Sequence, residues 1–497
     1  MKTKNLLWLV MLLVPMTVLA KQKPNIIWIF SDDHSYQTIG AYGGRLQGLN
    51  PTPNLDKLAA QGMRFDKCYV ENSICAPSRA ALLTGKMSHM NGKLSNTKRH
   101  PFNHDQQQFQ KILQDNGYQT AMIGKIHLDG AMQGFDYWEV LPGQGKYYNP
   151  EFITEDGKTN YKGRYVTEVI TERAVNWLDN GRKKDEPFML MVHHKAPHRN
   201  WDPDKKYMSK YEDIEIPEPE NLFDQYVTKV NAVVDQELEI MDDMNLDRDL
   251  KANGKMYAND ERFKKRFDLF KNNPPKGKAL EKWKYQTYMK DYLRCIWSVD
   301  KSIGSIMQWL KDNGLEDNTI VMYSSDQGFF MGEHGWFDKR LMYEEVFRTP
   351  LIAKWPGVIK AGSVNTDLVQ NIDFAETFLD IAKADIPEDM QGESLVPLLK
   401  GKSPKKWRKS LYYHYYEYPG AHKVRRHEGV VTKKHKLIRF YGQDVPNGEE
   451  FELYDLEKDP SEMKNLYNNP EMKPLIADMK QELTKLREQY QVNPELE

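Results

Sequence analysis

Pro24-Asn-Ile-Ile-Trp-Ile-Phe-Ser-Asp32-Asp33-His34 is an unbroken apolar run that stops in a polar, acidic turn. A short apolar run of this kind reads as a strand buried on both faces. The pattern returns along the chain. Gln119 to Ile123 leads into Gly124-Lys125-Ile126-His127, and Pro187 to Val192 into His193-His194-Lys195-Ala196-Pro197-His198. Thr319 to Tyr323 leads into Ser324-Ser325-Asp326-Gln327-Gly328, and Thr349 to Ala353 is stopped by Trp-Pro-Gly. Helical spacing appears between these runs, over Asn54 to Gly62 and Val166 to Leu178, and Met63 to Val70 reads as a further strand. Apolar strands alternating with helices predict an α/β fold: a large mixed, mostly parallel sheet sandwiched by helices. In such sheets ligands bind beyond the carboxyl ends of the strands. The polar residues just named all fall there, so positions some three hundred residues apart are expected to share one crevice.

The second informative stretch is Ser73-Ile-Cys75-Ala-Pro77-Ser78-Arg79-Ala-Ala-Leu-Leu-Thr84-Gly85. Ala80 to Leu83 favour helix and Pro77 suits a first turn, so Cys75 is expected beside a helix N-terminus, which favours anions. The spacing Cys-x-Pro-Ser-Arg-x-x-x-x-Thr-Gly resembles the signature of type I sulfatases of the alkaline phosphatase superfamily. The resemblance implies that Cys75 is oxidised to formylglycine by a formylglycine-generating or anaerobic sulfatase-maturing enzyme. It also implies one divalent cation, usually calcium, held by Asp32, Asp33, Asp326, Gln327 and the modified Cys75. All of these offer hard oxygen donors, which suit calcium or magnesium rather than zinc. Many sulfatases carry Asn or His where this chain has Gln327; the amide oxygen can still coordinate. By the same resemblance Arg79 holds the modified residue and the metal ligands. Lys125 and Lys339 bind sulfate, His127 contacts the formylglycine hydroxyl, and His198 lies near the leaving-group oxygen. His334, in the Gly332 to Arg340 segment, is read equally as a substrate contact or a structural hydrogen bond.

The implied function is hydrolysis of sulfate esters on carbohydrates. Gly134 to Trp138 and Leu141 to Pro150 look like segments of enzymes acting on N-acetylglucosamine 6-O-sulfate in glycosaminoglycans, and they are expected at the pocket mouth. Two other readings are weighed. One is a phosphate or phosphonate monoester hydrolase of the same superfamily, which typically needs a more histidine-rich site than Asp326-Gln327 offers. The other is a non-catalytic sulfated-polysaccharide-binding protein, which intact candidate catalytic residues argue against.

The chain has 497 residues and a formal net charge of -1, which excludes a basic nucleic-acid-binding surface as its main character. Residues 1–20 read as a signal peptide: Lys2 and Lys4, an apolar Leu6 to Leu13, and Val18-Leu19-Ala20 at the cleavage point. The expectation is a secreted or periplasmic protein with no stable membrane insertion. Three cysteines, Cys68, Cys75 and Cys295, make no disulfide framework, and spacing leaves open whether Cys68 and Cys295 pair. Residues 21–400 are expected to form the catalytic domain. Between Asp202 and Leu293 charge dominates, and we expect a mostly helical, solvated excursion. After Gly401-Lys-Ser-Pro-Lys-Lys, strands over Leu411 to Tyr416, Gly429 to Thr432 and Lys436 to Tyr441 and a helix over Pro474 to Tyr490 predict a smaller α+β domain, 401–497. Glu452 to Pro460 also resembles the sulfatase C-terminal segment.

Overall fold

A computed structural model of the protein describes residues 23–130 and 132–496; the expected signal peptide lies outside the described residues. Asn25–Ser31 is a strand with every residue buried. Its side chains alternate between two cores. Ile27 and Ile29 face one, and Ile26, Trp28 and Phe30 face the other. That explains the unbroken apolar run, because neither face of the strand meets water. Parallel partners lie on both sides: Phe188–His193 on one, Thr319–Ser325 on the other. Gln119–Lys125 and then Tyr137–Leu141 continue the parallel set. The full sheet has ten strands. Antiparallel strands extend it, Leu351–Lys354 at one side and the Glu151–Thr154 and Gly157–Asn160 hairpin at the other.

Helices cover both faces. Pro53–Gln61, Val166–Asn176 and the 35-residue Lys278–Asp312 pack on one core; Cys75–Thr84, Phe109–Asp115 and Asp373–Ala382 pack on the other. The expected strand over Met63 to Val70 is two short ones. Met63–Phe65 joins the main sheet, while Cys68–Tyr69 pairs with Val369–Gln370 in a separate ribbon.

The charged region departs from its expectation. Between 202 and 277 regular structure is sparse: short turns of helix at Lys205–Tyr207, Asn231–Val234 and Glu261–Phe263, then Lys264–Asn272. Nor is the region simply solvated. Asp291 is buried and takes hydrogen bonds from Arg266 (2.7 Å to each carboxylate oxygen), Lys251 (3.1 Å) and Arg294 (3.1 Å). The charges satisfy one another inside the fold, a pairing that composition alone does not reveal.

The segment after residue 400 builds a four-stranded antiparallel sheet, Ser410–Tyr415, His427–Thr432, His435–Tyr441 and Glu449–Asp455. The last strand was not anticipated. Leu411, Tyr413 and Tyr415 face a core shared with Tyr69, Ile74, Trp336 and Tyr343, while Tyr412 faces the Lys473–Gln489 helix through Met479, Leu483 and Leu486. The small sheet is therefore clamped over the carboxyl edge of the large one. Cys68 and Cys295 are buried free thiols.

Candidate active site

Strand register assembles the site. Ser31 pairs with Ser325, so Asp32-Asp33 and Asp326-Gln327 leave adjacent parallel strands at one level. Asp33 N–H donates to Asp326 Oδ1 (3.0 Å), and His34 N–H to Ser325 Oγ (2.8 Å), which locks the two turns together. Phe30 and Gly124 both pair with His193, which brings Lys125, His127 and the 194–198 turn to the same edge. Gly124 has φ of +113°, and a Cβ there would lie 1.9 Å from the His193 carbonyl oxygen. Gly328 is as constrained. A Cβ would meet the Glu345 and Arg348 carbonyls at 2.1 and 2.5 Å, so only glycine lets the 344–348 segment close behind the Asp326 turn.

The Cys75–Thr84 helix points its N-terminus at these turns. Asn96 Oδ1 accepts from Ala76 N–H (3.0 Å) and fixes the first turn. Cys75 Sγ lies 3.5 Å from Asp32 Oδ1 and 3.2 Å from Lys339 Nζ. One turn on, Ser78 Oγ donates to the Asp326 carbonyl (2.6 Å) and Arg79 Nε to Asp326 Oδ2 (3.0 Å). Arg79 Nη1 donates to the Lys125 carbonyl (2.6 Å) and so ties the helix to a third strand. Lys125 donates to Asp32 Oδ2 and Gln144 Oε1. Lys339 donates to Asp33 Oδ2 (2.6 Å). His198 Nε2 is 3.7 Å from Asp33 Oδ2, and its Nδ1 faces the Arg199 carbonyl. The residues expected to form the site thus converge from six separate stretches of the chain, 32–33, 75–79, 125–127, 198, 326–327 and 339.

The donor set suits a hard divalent cation. Asp32, Asp33 and Asp326 are fully buried, and one oxygen of each lies within 4.8 Å of the others. Gln327 Oε1 is buried without a hydrogen-bond partner among the described residues, while Gln327 Nε2 donates to Asp33 Oδ1 and to Asp326 Oδ1 (2.9 Å). Three carboxylates and an orphaned amide oxygen fit an oxygen-liganded ion. Electrostatics separates the carboxyls. Burial, with Asp32 beside it, pushes Asp326 well up; burial opposes ionisation of Asp32 too, but Lys125 and Arg79 hold it well below the usual range. Burial and then Lys125 keep both His127 and His198 neutral. His127 adopts φ of +56°, with Nδ1 buried and without a hydrogen-bond partner among the described residues. The His198 side chain is 15% exposed and His127 is also only partly buried, while Asp33 is fully buried, so the site opens toward these two histidines.

Around that opening lie residues that the sequence reading did not single out. Asp338 and Arg340 form an ion pair on either side of Lys339, and Asp338 Oδ2 is 3.4 Å from His422 Nε2. Arg199 Nη1 lies 3.1 Å from the same His422 nitrogen and pairs with Asp249 (2.6 Å). Asp338 and Arg340 were visible as neighbours of Lys339. His422 sits in a loop without a motif, and nothing in sequence points to it. The two aromatic segments divide. Gln144 touches Lys125, and Tyr147 donates to the His198 carbonyl (2.6 Å), whereas Phe135 and Trp138 pack against the second core. His334 is structural: its Nδ1 pairs with Asp224 (2.8 Å) and its ring packs on Trp336.

Residues 24–384 match the sulfatase family profile. The chain belongs to the sulfatase family. Residues 332–489 match a second profile, N-sulphoglucosamine sulphohydrolase, C-terminal. An N-acetylglucosamine-6-O-sulfatase of Bacteroides thetaiotaomicron is 45% identical over 95% of this chain and 88% of its own. The human N-acetylglucosamine-6-sulfatase is 29% identical over 79% of this chain and 67% of its own. Among solved structures, BT4656 in complex with its substrate D-glucosamine-2-N,6-O-disulfate superposes with a TM-score of 0.91, at 44% identity, covering 96% of this chain and all of that one. The protein is thus a sulfatase, an enzyme that hydrolyses sulfate esters, and the phosphoryl-transfer and binding-protein readings fall away. No described helix is long and apolar enough to cross a membrane.

Proposed function

We propose that this sulfatase removes the 6-O-sulfate of N-acetylglucosamine or a related glucosamine unit from glycosaminoglycan fragments. The observation that carries the reading is the 45% identity, over nearly the whole chain, to a sulfatase of that specificity. Asp32, Asp33, Asp326 and Gln327 would hold a divalent cation, with calcium the expected ion, which would neutralise charge on the sulfate and on the nucleophile. Cys75, converted to formylglycine, supplies the nucleophilic hydroxyl. Lys125 and Lys339 bind and orient the sulfate oxygens, as their ammonium groups flank Cys75 from two sides. Electrostatic stabilisation of this kind is commonly the largest catalytic contribution. His198 carries its Nε2 toward the leaving-group side and protonates the departing sugar oxygen; an anion bound between Lys125 and Lys339 offsets the field that keeps this ring neutral. His127, neutral and with its Nδ1 unpaired among the described residues, is in the right state to take a proton when sulfate is released. Arg79 positions Asp326 and the Cys75 helix. The same reading takes residues 1–20 as an export signal, 21–400 as the catalytic domain and 401–497 as a subdomain that closes the mouth.

The test is a panel of monosulfated glucosamine and galactosamine sugars with free sulfate as readout, in calcium, in magnesium and after chelation. The 6-O-sulfated glucosamine substrates should turn over and the 3-O-sulfated and 4-O-sulfated isomers should lag by about 10³-fold or more, because a misplaced hydroxyl leaves buried polar groups unpaired. Equal rates across the isomers would remove the specificity, and full turnover in metal-free enzyme would remove the cation.

A further inference from the structure

A cavity of about 790 Å³ opens on the flank of the molecule, and none of its lining residues belongs to the cluster around Cys75. Its walls come from three places: Tyr36 and Tyr42 beyond the Asp33 turn, Phe223 in the irregular region, and the 460–463 turn. The volume lies in the range of small-molecule sites, wide enough for one or two sugar rings. At the base is Glu345, only 4% exposed, whose Oε2 has no hydrogen-bond partner among the described residues. Cations near it are committed elsewhere. Arg45 pairs with Glu333 (2.9 Å), and the Arg348 guanidinium lies 4.0 Å from the Tyr36 ring centre. Glu220, Asp224, Glu333 and Glu345 line the space against Arg45 alone, so it repels sulfated or carboxylated ligands. An inorganic ion has no ligand set there. Among the described residues, three donor atoms close enough for a metal occur only around Asp32. Burial, with Glu333 and Glu462 nearby, pushes Glu345 well up, so on its own it stays protonated. A cation placed beside it between the aromatic walls would draw out that proton, and an organic ammonium is the cation that suits such walls.

We propose that this cavity binds a free amino sugar, with its ammonium group on Glu345 and its ring against Tyr36, Tyr42 and Phe223. The amides of Gln37, Asn221 and Gln225 in the lining offer partners for ring hydroxyls. The inference does not depend on which sulfated sugar the catalytic site takes. N-acetylation or N-sulfation would abolish the charge that Glu345 recognises, so the site separates the free amine from its capped forms.

The experiment is titration calorimetry at pH 7 with glucosamine, N-acetylglucosamine, glucose and putrescine on the full protein. Glucosamine should bind, and both N-acetylglucosamine and glucose about tenfold or more weaker, as expected for loss of one charged contact. Glu345→Gln and Phe223→Ala should each weaken glucosamine by a similar factor, while Cys75→Ala, which alters only the catalytic site, retains it. Phe223 is only half-buried, so its variant tests the site even if the Glu345 variant fails to fold. Absence of glucosamine binding, equal binding of glucose, unchanged affinity in Phe223→Ala, or loss in Cys75→Ala would overturn the proposal. Putrescine binding as tightly as glucosamine would overturn the assignment to a sugar.

Discussion

Cys75, with Lys339 and Asp32 against its sulfur, is the residue proposed to become formylglycine. As a thiol it is fully buried, and burial with Asp32 beside it pushes it up to about 12, so it stays protonated at neutral pH. A buried neutral thiol is a poor nucleophile. Yet Lys339 stands 3.2 Å from it and Asp32 3.5 Å away. We therefore expect the peptide carrying position 75, from enzyme made with its maturation partner, to be about 18 Da lighter than the cysteine form, as thiol-to-aldehyde conversion requires. Cys75→Ala should fold, judged by an unchanged melting temperature, and show no turnover. Lys339→Ala should keep the fold and lower kcat by about 10²- to 10³-fold, since it removes one preorganised positive charge. Lys339→Arg should not restore it, because a planar guanidinium does not fit the place of a compact ammonium. Full activity in either the Cys75 or the Lys339 alanine variant contradicts these roles. At this scale the sequence was unusually readable. Asp32, Cys75, Arg79, Lys125 and Asp326 stand in short motifs whose spacing is set by local backbone geometry. Gln144, Asn96 and His422 reach the site through loops, where contact depends on folding and leaves no periodic mark.

At the scale of elements, the strands were legible because burial on both faces leaves nothing but apolar residues. The Asn25–Ser31 strand is the plainest case. The 202–277 region was misread because charge density does not distinguish a solvated helix from an irregular chain held by internal ion pairs. Asp291 shows the difference. It projects from the Lys278–Asp312 helix into Lys251, Arg266 and Arg294, and Lys251 Nζ in turn donates to the carbonyls of Asn200 (2.6 Å) and Trp201 (2.8 Å). One buried carboxylate thus connects the long helix to the chain just beyond His198. Removing its charge strands three cations away from water. Asp291→Asn should cost about 3–5 kcal/mol in denaturant unfolding, the usual penalty for breaking a buried ionic cluster from one side. A surface pair such as Lys264 with Asp268 should give a change within about 0.5 kcal/mol on the same test. Equal effects at the two sites would show that the Asp291 cluster is no more than surface charge.

For the whole molecule, the cores above and below the sheet, the small C-terminal sheet and the site share one consequence: many titratable groups are buried. Buried histidines stay neutral. Burial moves His34 and His194 down to about 3, and His334 and His427 down to about 4. In the unfolded chain a histidine takes its proton near pH 6.5. Between about 6.5 and 4 the unfolded state therefore binds protons that the folded state refuses, and stability falls as pH falls. Glu71 acts in the opposite direction. It is buried against Ser88, and burial pushes it up to about 8. From about 4.5 to 8 the folded state holds a proton there that the unfolded state has lost, so that contribution is complete in acid and disappears as pH rises. Each such group changes the slope of stability against pH by up to about 1.4 kcal/mol per unit within its own window. His427 is the cleaner histidine to alter, since it packs on the rings of Tyr413, Tyr415 and Phe440 and its shift comes from burial. In His427→Phe the loss of stability between pH 6.5 and 4 should be shallower than in the parent. In Glu71→Gln stability should rise more steeply, or fall less, between pH 4.5 and 8. Urea unfolding across pH 4 to 8 reads both slopes on one protein, and parallel profiles for parent and variants would mean that neither group changes its protonation on folding.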